Sequence, residues 1–294
     1  EDKKILASIH EDLDKQEIVP VDKHFMSYPD YHNPDFIFSL SQKAEFFYKQ
    51  NVFENNTLEK KCSSTTFELG NHQQFLQSFI NKKTNYKGLL VFHGVGVGKT
   101  CSAITISNSF RDSYKAKGKR IICLVAGNIQ PGWKKTIYDY TKGENQCTGD
   151  TYHDIIMGME KKTYQQQTGV RRKVNKMIKD YYEFYGYREF SGKIKRLLKI
   201  RIGDRDVSDS ERKKIEKEFM KEYFSDRLLI VDEVHNLRNE KNDNLAKETL
   251  QYLDKVIKYS ENLRLILLSA TPLFNQPSEV IWLVNMLLKN DNRP

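Results

Sequence analysis

The chain has 294 residues, of which 38% are hydrophobic, and a formal net charge of +9 at pH 7. This length and composition allow one substantial hydrophobic core, with at most a smaller satellite. No apolar stretch approaches the roughly 18–20 residues that a membrane-spanning helix needs, so we expect no membrane partner. The four cysteines form no CxxC pair, which favours free thiols over a disulfide or a zinc site.

Residues 1–60 are polar and interrupted by prolines, and we interpret them as an N-terminal accessory segment. From residue 61 to 294 apolar and amphipathic runs alternate. The predicted elements are a helix from Gln73 to Asn81, strand Leu89 to Phe92, a helix after Thr100, strand Arg120 to Val125, a helix around Trp133 to Tyr140, strand Leu228 to Val231 and strand Leu263 to Leu268. Short continuous apolar strands are typical of a mostly parallel sheet covered by helices on both faces. The sequence therefore predicts a doubly wound α/β fold.

The segment at about 150–226 is too long for an ordinary loop, and we interpret it as a structured helical insertion. Residues 161–227 carry 20 Lys and Arg against 11 Asp and Glu, whereas the rest of the chain is balanced. Such a basic segment either faces a polyanion or forms a solvated helical face. Charge alone does not decide between the two.

The most informative motif follows the strand that ends at Phe92. A glycine-rich turn and then Lys99-Thr100 open a helix, with His93 in place of the first glycine of the GxxxxGKT pattern. Backbone N–H groups of such a turn surround nucleotide phosphates, while the lysine reaches the β- and γ-phosphates and the threonine ligates Mg²⁺. The predicted nucleotide-binding residues are Gly94, Val95, Gly96, Val97, Gly98, Lys99, Thr100 and Cys101.

A second motif, Asp232-Glu233-Val234-His235, directly follows the strand that ends at Val231. Two carboxylates are thereby expected at the carboxyl edge of the sheet, beside the phosphate loop. Asp232 is suited to hold Mg²⁺, and Glu233 to orient and deprotonate the attacking water. Lys99, Asp232 and Glu233 are the predicted catalytic residues.

Ser269-Ala270-Thr271 follows the last predicted strand and is expected at the same edge of the sheet. Ser269 and Thr271 could hydrogen-bond His235 and transmit the state of the γ-phosphate. Ahead of the phosphate loop, Gln73 has the geometry to pair with adenine, which favours ATP over GTP, and Gln74 is the competing residue.

In these motifs the chain resembles superfamily 2 helicases and translocases, and in Thr271-Pro272-Leu273-Phe274-Asn275 the Swi/Snf-type branch. His93 before the glycines and Asp232 to Asn236 resemble the ATPases of large cytoplasmic DNA viruses, such as poxvirus nucleoside triphosphate phosphohydrolase I and the early transcription factor ATPase subunit. The resemblance implies the first, RecA-like lobe of a DNA-dependent ATPase acting in viral transcription. It also implies ATP and Mg²⁺ as cofactors, a viral RNA polymerase or transcription factor as partner, and a location in the host cytoplasm or the virion.

Nucleic-acid contacts are expected on two segments. The resemblance places them at Gly127 and Asn128, after the second strand, and near Tyr187. A basic track could extend them, and the aromatic cluster from Tyr181 to Phe190 is interpreted mainly as packing, with stacking on bases as the alternative. The basic residues of that track are Arg171, Arg172, Lys173 and Lys176.

The chain carries none of the second lobe in which this family has its arginine finger, so we expect weak ATP binding and poor hydrolysis from these residues alone. DNA is favoured over RNA as the nucleic acid. Two other functions remain open, namely a duplex-unwinding RNA or DNA helicase and a promoter-binding transcription factor module with weak ATPase activity.

Overall fold

The computed structural model describes residues 28–46, 67–94, 96–142, 145–152, 164–237, 244–271 and 278–293. The chain divides into two compact units, Glu1–Asn51 and Val52–Pro294. In the first unit, residues 36–41 form the short helix α1 (Phe36–Ser41). The second unit contains the sheet and all the sequence motifs.

The second unit is built on a five-stranded, all-parallel sheet with the strand order β1-β5-β4-β2-β3. Four strands coincide with predicted apolar runs, which confirms the doubly wound α/β fold. The strands are β1 (Gly88–Phe92), β2 (Ile121–Leu124), β3 (Tyr182–Tyr185), β4 (Leu228–Val231) and β5 (Arg264–Ser269).

Every residue of β2, β4 and β5 is buried, although successive side chains of a strand point to opposite faces of the sheet. Both faces of these strands are therefore covered, and the helices provide this cover. None of the described helices is long and apolar enough to cross a bilayer. The helices are α2 (Asn71–Phe79), α3 (Lys99–Asn108), α4 (Arg111–Ala116), α5 (Gln130–Ile137), α6 (Tyr164–Tyr181), α7 (Tyr187–Ile202), α8 (Asp209–Phe224), α9 (Asn244–Tyr259) and α10 (Ser278–Asn290).

The main hydrophobic core lies on one face of the sheet. It joins alternate residues of β2, β4 and β5 to the buried sides of α7, α8, α9 and α10. On α7 the buried residues Phe190, Ile194 and Leu198 repeat every four positions, which is the spacing of one helix face. This core fixes the strands whose carboxyl ends carry the motifs.

The segment interpreted as an insertion contributes directly to the sheet. Strand β3 lies within it and pairs in parallel with β2, in register from Ile121 with Tyr182 to Leu124 with Tyr185. The helix that follows β3, α7, packs in the main core. Residues 182–202 therefore belong to the α/β fold itself, and the sequence-based interpretation missed this strand and this helix.

Cys101 and Cys147 form a disulfide with a Cα–Cα distance of 5.5 Å, so the expectation of free thiols is wrong for this pair. The two cysteines are separated by 46 residues and meet only because the fold places residues 145–152 beside the start of α3. Cys123 is a free, fully buried thiol in β2. Cys62 lies outside the described residues.

Candidate nucleotide-binding site

Three polar motifs meet at the carboxyl edge of the sheet, because the strands that lead into them are parallel. β5 lies between β1 and β4, and Phe92 of β1 pairs with Ser269 at the end of β5. The phosphate loop after β1, Asp232 to His235 after β4, and Ser269 to Thr271 after β5 are thus neighbours. In open α/β sheets this edge is where ligands bind.

The phosphate loop depends on glycine at two positions. Gly96 and Gly98 have φ angles of +85° and +83°, in the left-handed region that glycine adopts without strain. Gly98 is the N-cap of α3, so Lys99 and Thr100 occupy the first helical turn, where backbone N–H groups have no partner inside the helix. This arrangement suits a phosphate group. Val95 lies outside the described residues, and Gly94 and Val97 are exposed beside it.

Lys99 and Glu233 connect two motifs that are 134 residues apart. The Lys99 Nζ lies 2.5 Å from Glu233 Oε1, across the end of the intervening strand β5. Glu233 has a φ of +50°, which is uncommon for a residue with a side chain and frequent at functional sites. The ion pair shows that the carboxylate is within reach of a phosphate group that Lys99 would bind.

Asp232 is buried, with 4% of its surface exposed, and both of its carboxylate oxygens accept hydrogen bonds. The indole N–H of Trp133 donates to Oδ2 at 2.8 Å, and the backbone N–H of Glu233 donates to Oδ1 at 3.1 Å. Burial raises the pKa of Asp232, and the Trp133 hydrogen bond opposes that shift. Each oxygen keeps a lone pair for a further partner.

The backbone of the same motif is held by Tyr187, the first residue of α7. Its hydroxyl lies 2.5 Å from the carbonyl oxygen of Asp232 and 3.0 Å from that of Glu233. Burial, followed by the charges of Asp232 and Glu233, raises the pKa of the Tyr187 phenol, so it stays a hydrogen-bond donor. The polar atom of Tyr187 thus points to the acidic motif, and the expected nucleic-acid contact in the region near Tyr187 stays a prediction.

His235 links the acidic motif to the end of β5. Its Nδ1 lies 3.0 Å from the hydroxyl of the fully buried Ser269 and 3.3 Å from Glu233 Oε2. The expected contact with Ser269 is present, whereas Thr271 enters the network by donating its backbone N–H to the Ser269 hydroxyl at 3.2 Å. These contacts form a continuous polar path from Glu233 to the residues after β5.

Gln73 is buried against the phosphate loop. Its Oε1 accepts from the backbone N–H of Gly70 at 2.9 Å, and its Nε2 donates to the carbonyl of Gly98 at 3.3 Å. The competing residue, Gln74, donates from Nε2 to the carbonyl of Leu69. Pairing of Gln73 with adenine stays a prediction, and it requires exchange of these backbone contacts.

His93 packs edge-on against His72, with ring centroids 5.0 Å apart. Burial lowers the pKa of His93, and the nearby His72 and Lys99 lower it further. His93 is consequently neutral at physiological pH and adds no positive charge to that of Lys99. Cys101, one residue after Thr100, is tied to Cys147 by the disulfide.

The oxygen ligands of this edge fit Mg²⁺. Within the described parts of the chain, no group of three or more His, Cys, Asp or Glu side chains could hold a metal ion by itself. Mg²⁺ in nucleotide sites is usually bound by one or two protein oxygens together with the phosphates, so such a cage is not required. The Asp232 carboxylate and the Thr100 hydroxyl are the residues that would hold it.

The predicted nucleic-acid contacts lie in two places. Gly127 and Asn128 are exposed, directly after β2 at the same carboxyl edge. The carboxyl end of α6 lies at the opposite end of β2, because Arg120 Nη1 donates to the carbonyl of Lys179. The structure therefore does not bring the end of α6 to Gly127. The basic residues Arg171, Arg172, Lys173 and Lys176 are all exposed on α6, whereas its Val174, Met177 and Ile178 are buried.

The aromatic cluster packs inside the protein. All six of its rings, from Tyr181 to Phe190, are buried or half-buried, so packing rather than stacking on bases accounts for them.

Sequence reasoning also missed Trp133 as a site residue. Its only sequence signal is that it is one of two tryptophans in the chain and follows the motif after β2 by a few residues.

Residues 39–291 match the SNF2-related domain, which covers most of the chain. The chain belongs to this family. The SNF2-related chain is 30% identical over 287 residues to a protein of Acanthamoeba polyphaga mimivirus named "Putative ATP-dependent RNA helicase L377", an alignment that covers 89% of this chain and 23% of that protein. A second mimivirus protein, named "Putative ATP-dependent RNA helicase R563", is 27% identical, with 92% of this chain and 41% of that protein covered.

A third relative of the SNF2-related chain, named "Early transcription factor large subunit homolog", comes from African swine fever virus. It is 23% identical, with 77% of this chain and 25% of that protein covered. The chain thus spans between about a quarter and two fifths of the length of these relatives. The resemblance to Swi/Snf-type proteins of large DNA viruses is confirmed, and the chain is an SNF2-related domain similar to viral proteins named as putative helicases.

Proposed function

We propose that this chain is the ATP-binding lobe of a nucleic-acid-dependent ATPase that acts in viral transcription and hydrolyses ATP to ADP and phosphate. The observation that carries the proposal is the contact of Lys99 with Glu233, which joins the phosphate loop to the acidic motif across β5. The ammonium group that would bind the phosphates is therefore in direct contact with the carboxylate that would orient the water.

In this proposal each residue has one task in the reaction. Lys99 exchanges Glu233 for the β- and γ-phosphates when ATP binds, and the glutamate is released at the position where the attacking water must lie. Glu233 then orients the water and takes its proton, while His235 and Ser269 register the change at the γ-phosphate. A metal ion held by Asp232 and Thr100 would neutralise charge on the phosphates.

The role in transcription rests on the African swine fever virus relative, whose name is that of an early transcription factor subunit. We propose DNA as the favoured nucleic acid, with contacts at Gly127, at Asn128 and on the exposed basic residues of α6. The proposed partner is a viral polymerase or transcription factor subunit, and the proposed location is the host cytoplasm or the virion. The mimivirus names favour a second candidate, a helicase that unwinds RNA. A strand-displacement assay on DNA and RNA duplexes separates unwinding from translocation.

Steady-state ATP hydrolysis by Glu233→Gln tests the proposed mechanism. We expect the rate to fall by about 10²–10⁴-fold, because a positioned general base contributes that much. ATP affinity should stay equal or increase, since Lys99 loses a competing partner. The matched control is Glu222→Gln, which changes an exposed residue on α8. Equal hydrolysis by Glu233→Gln and the wild type, with DNA or RNA present, would contradict the mechanism.

A further inference from the structure

Trp133 contributes a hydrogen bond that the sequence motifs do not account for. It lies on α5, 3% exposed, and its indole N–H donates to Asp232 Oδ2 at 2.8 Å. We propose that Trp133 is a positioning residue, whose indole N–H fixes the Asp232 carboxylate in the orientation that receives the metal ion of the bound nucleotide. This inference rests on the proposed function.

The two oxygens of Asp232 are held from different sides, so the plane of the carboxylate is fixed. Oδ1 accepts from the backbone N–H of Glu233, and Oδ2 accepts from Trp133. Without the indole, one backbone bond remains, and the carboxylate can rotate about its last side-chain bond. The terminal torsion of an aspartate is broad, which makes such a restraint effective.

The indole itself is rigidly placed. Trp133 packs edge-on against Phe184 of β3, with ring centroids 6.4 Å apart, and the indole nitrogen is a donor only. Asp232 comes from β4 and Trp133 from the helix after β2, so the bond crosses from one βα unit to the next. Metal-binding carboxylates elsewhere are oriented by such outer partners, and loss of the partner typically weakens metal binding by about 10–100-fold.

A nucleotide-binding experiment separates positioning from general packing. Trp133→Phe keeps an aromatic ring and removes the N–H, and Trp282→Phe on α10 is the matched control. In saturating Mg²⁺ we expect Trp133→Phe to bind ATP about 10–100-fold more weakly than the control. In EDTA the two variants should bind ATP equally. When Asp232 is replaced by Ala, adding Trp133→Phe should cause no further loss.

NMR detects the hydrogen bond from Trp133 to Asp232 in the absence of nucleotide and without replacing Trp133. The chain has two tryptophans, so ¹⁵N-labelled indole groups give two resonances, which Trp282→Phe assigns. Asp232→Ala should move the Trp133 N–H proton upfield, as expected for a lost hydrogen bond, and leave that of Trp282 in place.

Three results would overturn the inference. They are equal ATP affinity of Trp133→Phe and Trp282→Phe in Mg²⁺, a loss of ATP affinity by Trp133→Phe in EDTA as large as that in Mg²⁺, and a Trp133 N–H resonance that Asp232→Ala leaves unshifted. A wild-type chain that binds no ATP in either condition would instead contradict the proposed function itself. The two failures are therefore distinguishable.

Discussion

Gly98 has a backbone conformation that a residue with a side chain rarely adopts. Its φ is +83°, and a Cβ there would lie 2.7 Å from Gln73 Nε2, which donates to the carbonyl of the same glycine. The residue therefore lets the phosphate loop turn and lets Gln73 approach. Sequence patterns identify Gly98 from the loop motif alone, but its contact with Gln73 depends on how α2 packs, which local pattern does not encode.

Gly98→Ala should lower both stability and ATP affinity. The left-handed backbone alone costs about 1–2 kcal/mol for a residue with a side chain, and the displaced Gln73 adds to that cost. The matched control is Gly192→Ala, where a Cβ meets nothing within 4 Å on α7. Alanine there should stabilise the protein by about 0.5–1 kcal/mol. Denaturant unfolding of both variants checks the pair, and equal stabilities would contradict this reading of the loop.

The residues of the local motifs could be predicted from the sequence, but the residues that hold them in place by hydrogen bonds could not. Lys99, Asp232 and Glu233 follow apolar strands at fixed offsets, so their common edge follows from a parallel sheet. Trp133 and Tyr187 act on Asp232 across separate elements, at separations of 99 and 45 residues. Nothing in their local sequence indicates which carboxylate or carbonyl they reach.

At the scale of elements, β3 shows why one strand was missed. Its sequence, Tyr182 to Tyr185, contains Glu183, and a charged residue argues against a buried strand. The fold compensates this carboxylate with Arg120 at 3.0 Å, Arg227 at 3.5 Å and two tyrosine hydroxyls. A buried charge is tolerated when it is paired and hydrogen-bonded in this way. Helix α7, by contrast, carried a readable signal in the four-residue spacing of its buried apolar side chains.

The basic face of α6 gives a prediction at the same scale. If α6 faces nucleic acid, Arg171→Glu with Arg172→Glu should weaken DNA binding and reduce the slope of log affinity against log salt by about two. The control is Lys213→Glu with Lys214→Glu on exposed positions of α8, which changes the net charge by the same amount. Filter binding or fluorescence anisotropy over a salt series measures both. Equal losses in the two variants would assign the effect to net charge and contradict a specific role of α6.

For the whole molecule, the fold class followed from the order of strands and motifs, because a parallel sheet brings every strand's carboxyl end to one edge. The disulfide did not follow, since Cys101 and Cys147 meet only in the folded chain. The extent of the α/β fold was also underestimated, as residues 182–202 proved to be part of it. Long-range contacts account for each of these differences.

The proposed function requires that the carboxyl edge of the sheet is an ATP site centred on Lys99. Isothermal titration of the chain with ATP and Mg²⁺ tests this most directly, with Lys99→Ala as the variant and Lys213→Ala, exposed on α8, as the control. Hydrogen bonds to charged groups contribute about 1.5–3 kcal/mol, so Lys99→Ala should bind ATP at least about tenfold more weakly than the wild type and the control. Equal ATP affinity of Lys99→Ala and the wild type, or no binding by the wild type, would contradict it.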